Sequence, residues 1–339
     1  RGGVALPRCP GRPGGRIMLT AFLFDERVGE PVTEWETVSK GLQENQVLWV
    51  DVVAPSTDDE RRVRETLGLQ DEDPRRHDPR TTKPEVAQHE AYMRVTAIAA
   101  PVDQDGRAAV LECFVGTNWV VSVHADELEV IEDFREIASG AGELGELDGP
   151  SFLATLLEWV VTTYTRAFAD IESTLETFDT EVLSNPDRSV EKEVSVLVEA
   201  RQRVGVLRRA LEPHRELFSA LRHAELDLVS SETSARRFGQ LVQRVDSALA
   251  AARDAKEAVV SSFDMLILRT EHRTNEIVKV LTLASILLLP GTLLAGLMGM
   301  NVNISPSVFE NSPLFWWVVG SVIVIAAVTM AVARIRHWI

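Results

Sequence analysis

The sequence predicts an α+β membrane protein in three parts: an N-terminal cytoplasmic α/β domain, a long helical stalk and two C-terminal transmembrane helices. Three observations carry this. Short runs rich in β-branched and aromatic residues cluster between about Ile17 and Val130. Beyond about Pro150 the strand patterns vanish and apolar residues recur at helical spacing. Near the C-terminus, Val280–Met300 and Leu314–Ala333 are uncharged runs of 21 and 20 residues. Each is long enough, at about 1.5 Å per helical residue, to cross a hydrocarbon core about 30 Å thick.

Taken in order, residues 1–16, "RGGVALPRCPGRPGGR", are dense in Gly and Pro and read as a disordered or expression-derived leader. Basic residues precede the apolar "IMLTAFLF" as in a signal peptide, but that run is short and leads into "DERVGEP" with no small-residue cleavage site. It reads as the first strand of a cytoplasmic α/β domain, residues 17–145. "VLWVDVVA", "AYMRVTAIAA", "AAVLECFVG" and "NWVVSVH" read as further strands, and "TDDERRVRETLGL", with acidic residues in its first turn, as a helix. Residues 150–230 hold two helices, "SFLATLLEWVVTTYTRAFADIESTLETFDTEVL" up to the break "SNPDRS", and "EVSVLVEARQRVGVLRRALEPHRELFSAL". A third helix spans 231–300, with no Gly–Pro break before Pro290 and its transmembrane part at about 278–300; if continuous it is on the order of 100 Å long. Residues 301–313 form an extracellular loop, 314–333 the second span, and 334–339 a basic cytoplasmic tail.

Charge sets the orientation. Arg269, His272, Arg273 and Lys279 precede the first span and Arg334, Arg336 and His337 follow the second, whereas the segment between has no Lys or Arg. Both termini are therefore expected in the cytoplasm of a multi-pass protein of the cell membrane, the inner membrane where there are two. A net charge of −16 argues against nucleic-acid binding. No phosphate-binding glycine loop or nucleophile motif points to an enzyme. The two cysteines, Cys9 and Cys113, lack metal-site spacing and suggest a reducing compartment.

The third helix carries a stripe. Stepping back from Gly299 by three and four residues gives Gly296, Thr292, Leu289, Ser285, Thr282, Val278, Asn275 and Glu271, a small or polar face on an otherwise Leu, Ile and Val helix. The same 3.5-residue period continues through Leu268, Asp264, Ser261, Glu257 and Asp254, and a sustained period of that length marks a supercoiled bundle. Several copies with this stripe inward would form a path lined by hydroxyls and amides, its inner mouth ringed by Asp264 and Glu271. Carboxylate rings attract cations. Small residues in a membrane helix also serve close packing, and an acidic stripe also serves as a solvated face. The register shared across the membrane boundary favours the path.

At "GLMGMNVN" the sequence resembles a known family. Gly299, Met300 and Asn301, at the outer end of the first of two C-terminal spans, are similar to the Gly-Met-Asn signature of CorA-type magnesium channels. "NEIVKVLTLASILLLPGTLLAG" resembles the family's pore helix, Pro290 included, and "VLWVDVVAP", "KPEVAQHEAY", "NWVVSVH", "GPSFLATLLEWVV" and "LRRALEPHRELFSAL" fall in the family's order. The resemblance implies a funnel-shaped homopentamer in the lipid bilayer, with five copies of the long helix around the pore. It implies Gly299, Met300 and Asn301 as the selectivity entrance, Thr292 as a hydroxyl ring, Leu281 and Leu289 as hydrophobic constrictions, Asn275 as an inner polar ring and Asp264 as the acidic mouth. It implies Mg2+ as both transported and regulatory ion, with no organic cofactor. The regulatory ion would close the channel by bridging carboxylates between subunits, with Glu90, Asp246 and Asp254 as candidate ligands. Two departures stand out: Met298 where the family usually has an aromatic, and "NISPSVFENSP" where it has a Met-Pro-Glu segment, with Glu310 as the loop's acid. They leave open a transporter of Zn2+, or of Co2+ or Ni2+, of the ZntB type on the same architecture.

Overall fold

A computed structural model of the chain describes residues 18–25, 28–43, 45–54, 57–69, 82–100, 109–125, 128–139, 148–185, 189–223, 232–299 and 312–335. They fall into two compact units that meet in sequence between Ser262 and Phe263.

The first unit is built on one seven-stranded sheet. Its strands are β1 (Met18–Asp25), β2 (Val28–Pro31), β3 (Gln46–Val53), β4 (Glu85–Gln88), β5 (Met93–Ala99), β6 (Ala109–Val115) and β7 (Trp119–His124), in the spatial order β2-β1-β3-β7-β6-β5-β4. Among the described strands, only β3 and β7 pair in parallel. Residues 47–53 of β3 are buried without interruption, as expected of a central strand covered on both faces, while β6 alternates in burial along its length. Strands β2 and β4 have four residues each and lack a strong apolar alternation, so nothing in the sequence announced them.

Helices cover both faces. On one side, Trp35 of α1 (Trp35–Val38) and Val63 of α2 (Thr57–Leu67) join Leu48, Val50 and Val52 of β3 and Val121 of β7 in a core cluster. On the other, the Trp49 ring lies 5.3 Å from Phe134 of α3 (Glu129–Ser139) and 5.7 Å from Phe152 of α4 (Gly149–Ser184), and those two phenylalanines are 5.4 Å apart. These contacts join one indole to two helices, and each edge-to-face pair adds roughly 1 kcal/mol beyond its area burial. Helix α4 starts where Asp148 Oδ1 accepts from the Ser151 amide at 2.6 Å, satisfying an otherwise orphan donor. Gly149 is required there, since a Cβ would stand 2.1 Å from the carbonyl oxygen of Gly116.

Strand β4 covers β5 only as far as Thr96, and helices complete the edge beyond it. The Ile98 amide donates to His214 Nε2 on α5 (Val190–His223) at 3.1 Å. The Tyr164 hydroxyl on α4 donates to the Ile98 carbonyl at 2.8 Å, and the Ala100 amide donates to Thr163 Oγ1 at 2.9 Å. Unpaired backbone groups at a buried edge would each cost about 1–3 kcal/mol, so these side chains end the sheet by docking the helices onto it.

Helix α6 runs from Glu232 to Gly299, 68 residues or about 100 Å, and contains Pro290. Within the first unit it buries Phe238, Leu241, Val245, Ala248, Ala252, Ala255 and Val259, the spacing of one helix face. Arg237 Nη1 reaches Thr155 Oγ1 on α4 at 2.9 Å. The second unit holds the remainder of α6 and α7 (Ser312–Ile335). In it a Cβ on Gly291 would lie 3.8 Å from Val322 of α7, ordinary van der Waals packing.

Candidate functional site

The candidate site is the exposed face of α6. One window of this helix is long and apolar enough to cross a membrane, and none of it is buried inside the subunit. The apolar run of α7 among the described residues, Val319–Ala331, is shorter. Val278, Leu281 and Leu289 are 50%, 65% and 64% exposed, and Asn275, Thr282, Ser285, Thr292 and Gly296 are exposed beside them on the helix. So much exposed hydrocarbon on one helix calls for lipid or other copies of the chain around it.

The hydroxyls on this face are oriented. Ser285 Oγ donates to the Leu281 carbonyl at 2.8 Å, and Thr292 Oγ1 to the carbonyls of Leu288 at 3.1 Å and Leu289 at 3.0 Å. A hydroxyl with its proton committed to its own helix keeps only lone pairs for what lies beside it. The face therefore offers acceptors, suited to the waters around a cation. Asp264 and Glu271 are exposed on α6 nearer the N-terminus, and His272 Nδ1 lies 3.7 Å from Glu276 Oε1 one turn on. Met300, Asn301 and Glu310 lie outside the described residues.

The three candidates for a regulatory cation are not gathered within one subunit. Glu90 is exposed in the turn between β4 and β5, and Asp254 is exposed on α6. Asp246 accepts from Arg215 Nε on α5 at 2.8 Å, so a cation bound there would displace a guanidinium. Among the described residues no three His, Cys, Asp or Glu side chains come together as a metal site.

A polar cluster that the sequence motifs did not single out lies between β3, β7 and α3. Fully buried Asp51 accepts from Ser122 Oγ, sits 3.1 Å from His124 Nε2 and accepts from Arg135 Nη2 at 2.8 Å; Ser122 Oγ in turn accepts from Trp49 Nε1 at 2.9 Å. Ser122 bonds to Asp51 rather than to His124, and all three are sealed from solvent, so the trio clamps α3 to the sheet and has no free nucleophile. The available signal was a polar residue within each of the apolar strands "VLWVDVV" and "WVVSVH".

His214 is likewise buried. To accept from the Ile98 amide its Nε2 must be unprotonated, which places the ring proton on Nδ1, facing the carbonyls of Ala210 at 3.0 Å and Leu211 at 3.2 Å. Burial outweighs those two carbonyls and lowers its pKa to about 4. Burial also pushes the Cys113 thiol and the Tyr164 hydroxyl well above their ordinary values, so neither ionises.

Comparison with known proteins places this geometry. A family model described as CorA-like Mg2+ transporter protein matches residues 44–334. The chain is 21% identical over 326 residues to the cobalt/magnesium transport protein CorA of Methanocaldococcus jannaschii, covering 95% of this chain and all of that one. It is 25% identical over 199 residues to the protein of the same name from Thermotoga maritima, covering 58% of this chain and 54% of that one. The complete structure of the Methanocaldococcus jannaschii CorA magnesium transporter superposes with a TM-score of 0.76 at 19% identity, covering 96% of this chain and 99% of that one.

Proposed function

Because the chain belongs to the CorA-like Mg2+ transporter family, we propose that it admits Mg2+ across the cell membrane as a homopentameric channel lined by α6. The observation that carries this is the oriented hydroxyl face, with Ser285 and Thr292 bonded back to their own helix and their acceptor lone pairs turned outward. Mg2+ holds its water shell tightly. A ring of acceptors can take hydrogen bonds from those waters without stripping them, and this suits a hydrated ion better than direct ligation would. Asn301, with Gly299 and Met300, forms the outer entrance in this reading, and Asp264 and Glu271 draw the ion out at the inner mouth.

Leu281 and Leu289 then close the path when their rings narrow enough to expel water. Val278 adds to the dry stretch, while Thr282, Asn275 and Gly296 keep the rest of the path wettable. The helix α7 and the span of α6 together would make the chain multi-pass, with both termini in the cytoplasm. Cytoplasmic Mg2+ holds the channel closed by bridging acidic groups of neighbouring subunits, drawn from Glu90, Asp246 and Asp254. Loss of the ion would leave carboxylates facing one another in a chain of net charge −16 and drive subunits apart.

Both curated relatives are named for cobalt and magnesium, and the stripe from Asp254 to Gly299 contains no Cys or His of the kind that selects Zn2+. The test is flux into liposomes holding the purified protein, with Mg2+, Co2+ and Zn2+ in competition. Mg2+ entry blocked by Co2+ and unaffected by micromolar Zn2+ is expected, with entry lost in Asn301→Ala. Preferential Zn2+ entry would replace the proposal with a ZntB-type transporter, and no divalent flux at all would end it.

A further inference from the structure

On α5, Val190, Val194, Val198, Arg201, Gly205 and Arg208 follow one another at steps of four and three residues and so share one face, about 27 Å long. The three valines are 39%, 37% and 40% exposed and both arginines are exposed. Among the described residues neither arginine has an ion-pair partner. Exposed β-branched residues in a row gain nothing for a helix and cost it rotamer freedom. Arginine beside apolar side chains, with Lys and Glu absent from the row, is the composition of a contact surface.

Further along α5 the same row meets the subunit's own α6. Arg215 Nε lies 2.8 Å from Asp246 Oδ1, and seven residues on, Arg222 Cδ lies 3.6 Å from where a Cβ on Gly239 would stand. Those two meetings set an antiparallel register, one residue forward on α5 for one back on α6. Carried toward the N-terminus of α5, it puts Arg208 level with Arg253 and Arg201 level with Val260. The subunit's own α6 thus answers one arginine with a like charge and the other with an apolar side chain. On the adjoining flank of α6, Asp254 and Glu257 are exposed and also lack an ion-pair partner among the described residues.

We propose that this face of α5 docks onto a second copy of the chain, against the flank of its α6 that carries Asp254 and Glu257; of the three acids named above for the regulatory ion, Asp254 then serves this contact and leaves Glu90 and Asp246 to the ion. The inference rests on the channel reading above, in which copies are related by rotation about an axis along α6. Rotation keeps each residue at its own height, so a neighbour's Asp254 and Glu257 arrive between the levels of Arg253 and Val260, which are the levels of Arg208 and Arg201. Gly205, between the two arginines, lets the neighbouring helix come close. Copies of a chain with net charge −16 repel one another overall, and a patch of opposite sign at the point of contact is what lets them assemble.

The experiment reverses each side and then both. Full-length protein in detergent is compared by light scattering with Arg201→Glu/Arg208→Glu, with Asp254→Arg/Glu257→Arg, and with the fourfold combination, alongside Mg2+ flux in liposomes. Each one-sided reversal is expected to lower the assembled fraction at least tenfold at limiting concentration, and the combination to restore it. Far-UV circular dichroism checks that each variant is folded, and Arg201→Gln/Arg208→Gln repeats the arginine arm with less perturbation. Assembly unchanged in the arginine variants overturns the inference, as does additive loss in the combination. Loss on the acidic side alone also overturns it, because it assigns Asp254 to a cation instead. Restored assembly in a protein without Mg2+ flux would uphold the contact and refute the channel; intact flux with assembly indifferent to all four charges would do the reverse.

Discussion

Lowering the pH from 7 to 4 should unfasten the helices from the edge of the sheet through one side chain, His214. Its pKa in the fold is about 4, against about 6.5 in an unfolded chain, because burial disfavours the charged ring; Nε2 also accepts from the Ile98 amide and cannot take a proton without losing that bond. Between those two values the unfolded chain binds the proton and the folded one does not, so stability falls as the pH falls. The contribution is whole above about pH 6.5 and is fully lost below about pH 4. At about 1.36 kcal/mol for each pH step between the two values, the loss between pH 7 and pH 4 is about 3 kcal/mol, a large part of a domain's stability of about 5–15 kcal/mol. Other groups titrate over the same range, so the assay is a difference. Denaturant unfolding of the full-length protein in detergent, followed by far-UV circular dichroism, is compared with that of His214→Gln, whose amide oxygen can still accept from Ile98 but cannot be protonated. The wild type should lose about 3 kcal/mol more than the variant over this range. Parallel curves, differing by less than about 1 kcal/mol, would refute the assignment of the edge bond to a neutral imidazole.

Asp51→Ala should cost about 3 kcal/mol in the same unfolding assay, because it strands Ser122, His124 and Arg135 around an apolar methyl group; a loss below about 1 kcal/mol would mean the cluster does not hold α3. Thr292→Val keeps the shape of the side chain and deletes the acceptor, and should slow Mg2+ flux roughly fivefold, the worth of about 1 kcal/mol for one hydrogen bond, without changing the mass of the assembly. Leu289→Asn puts an amide in the dry stretch and should raise flux at Mg2+ concentrations that silence the wild type; unchanged closure would place the constriction elsewhere.

Much of the architecture could be read from local pattern because local pattern decides it. Five of the seven strands and the helices α2, α4, α5 and α6 are long apolar or amphipathic segments whose period is fixed by the backbone. The four-residue strands β2 and β4 carry too few residues for a period, and they form because neighbours supply the ladder. Helix α3 was missed for a related reason: its apolar residues Val130, Ile131 and Phe134 find their place only against Trp49 and the residues around it. The candidate site divides in the same way. The spacing of Ser285, Leu289 and Thr292 was legible, whereas the direction of their hydroxyl protons became visible only once the helix was built.

By itself the sequence determined the parts of this protein and their order: a mixed domain, then a helix of unusual length with a stripe of small and polar residues along it. These depend on residues near one another in the chain, where helical and strand periods are set. Only the tertiary structure decided which polar groups became partners. Asp51 is 84 residues from Arg135, and Ile98 is 116 residues from His214. Asp246, a candidate ligand in the sequence, turned out to have Arg215 beside it, and Arg208 and Arg201 turned out to lie level with Arg253 and Val260 of their own α6. Such choices follow from how segments distant in the chain pack against one another, and no local period encodes them.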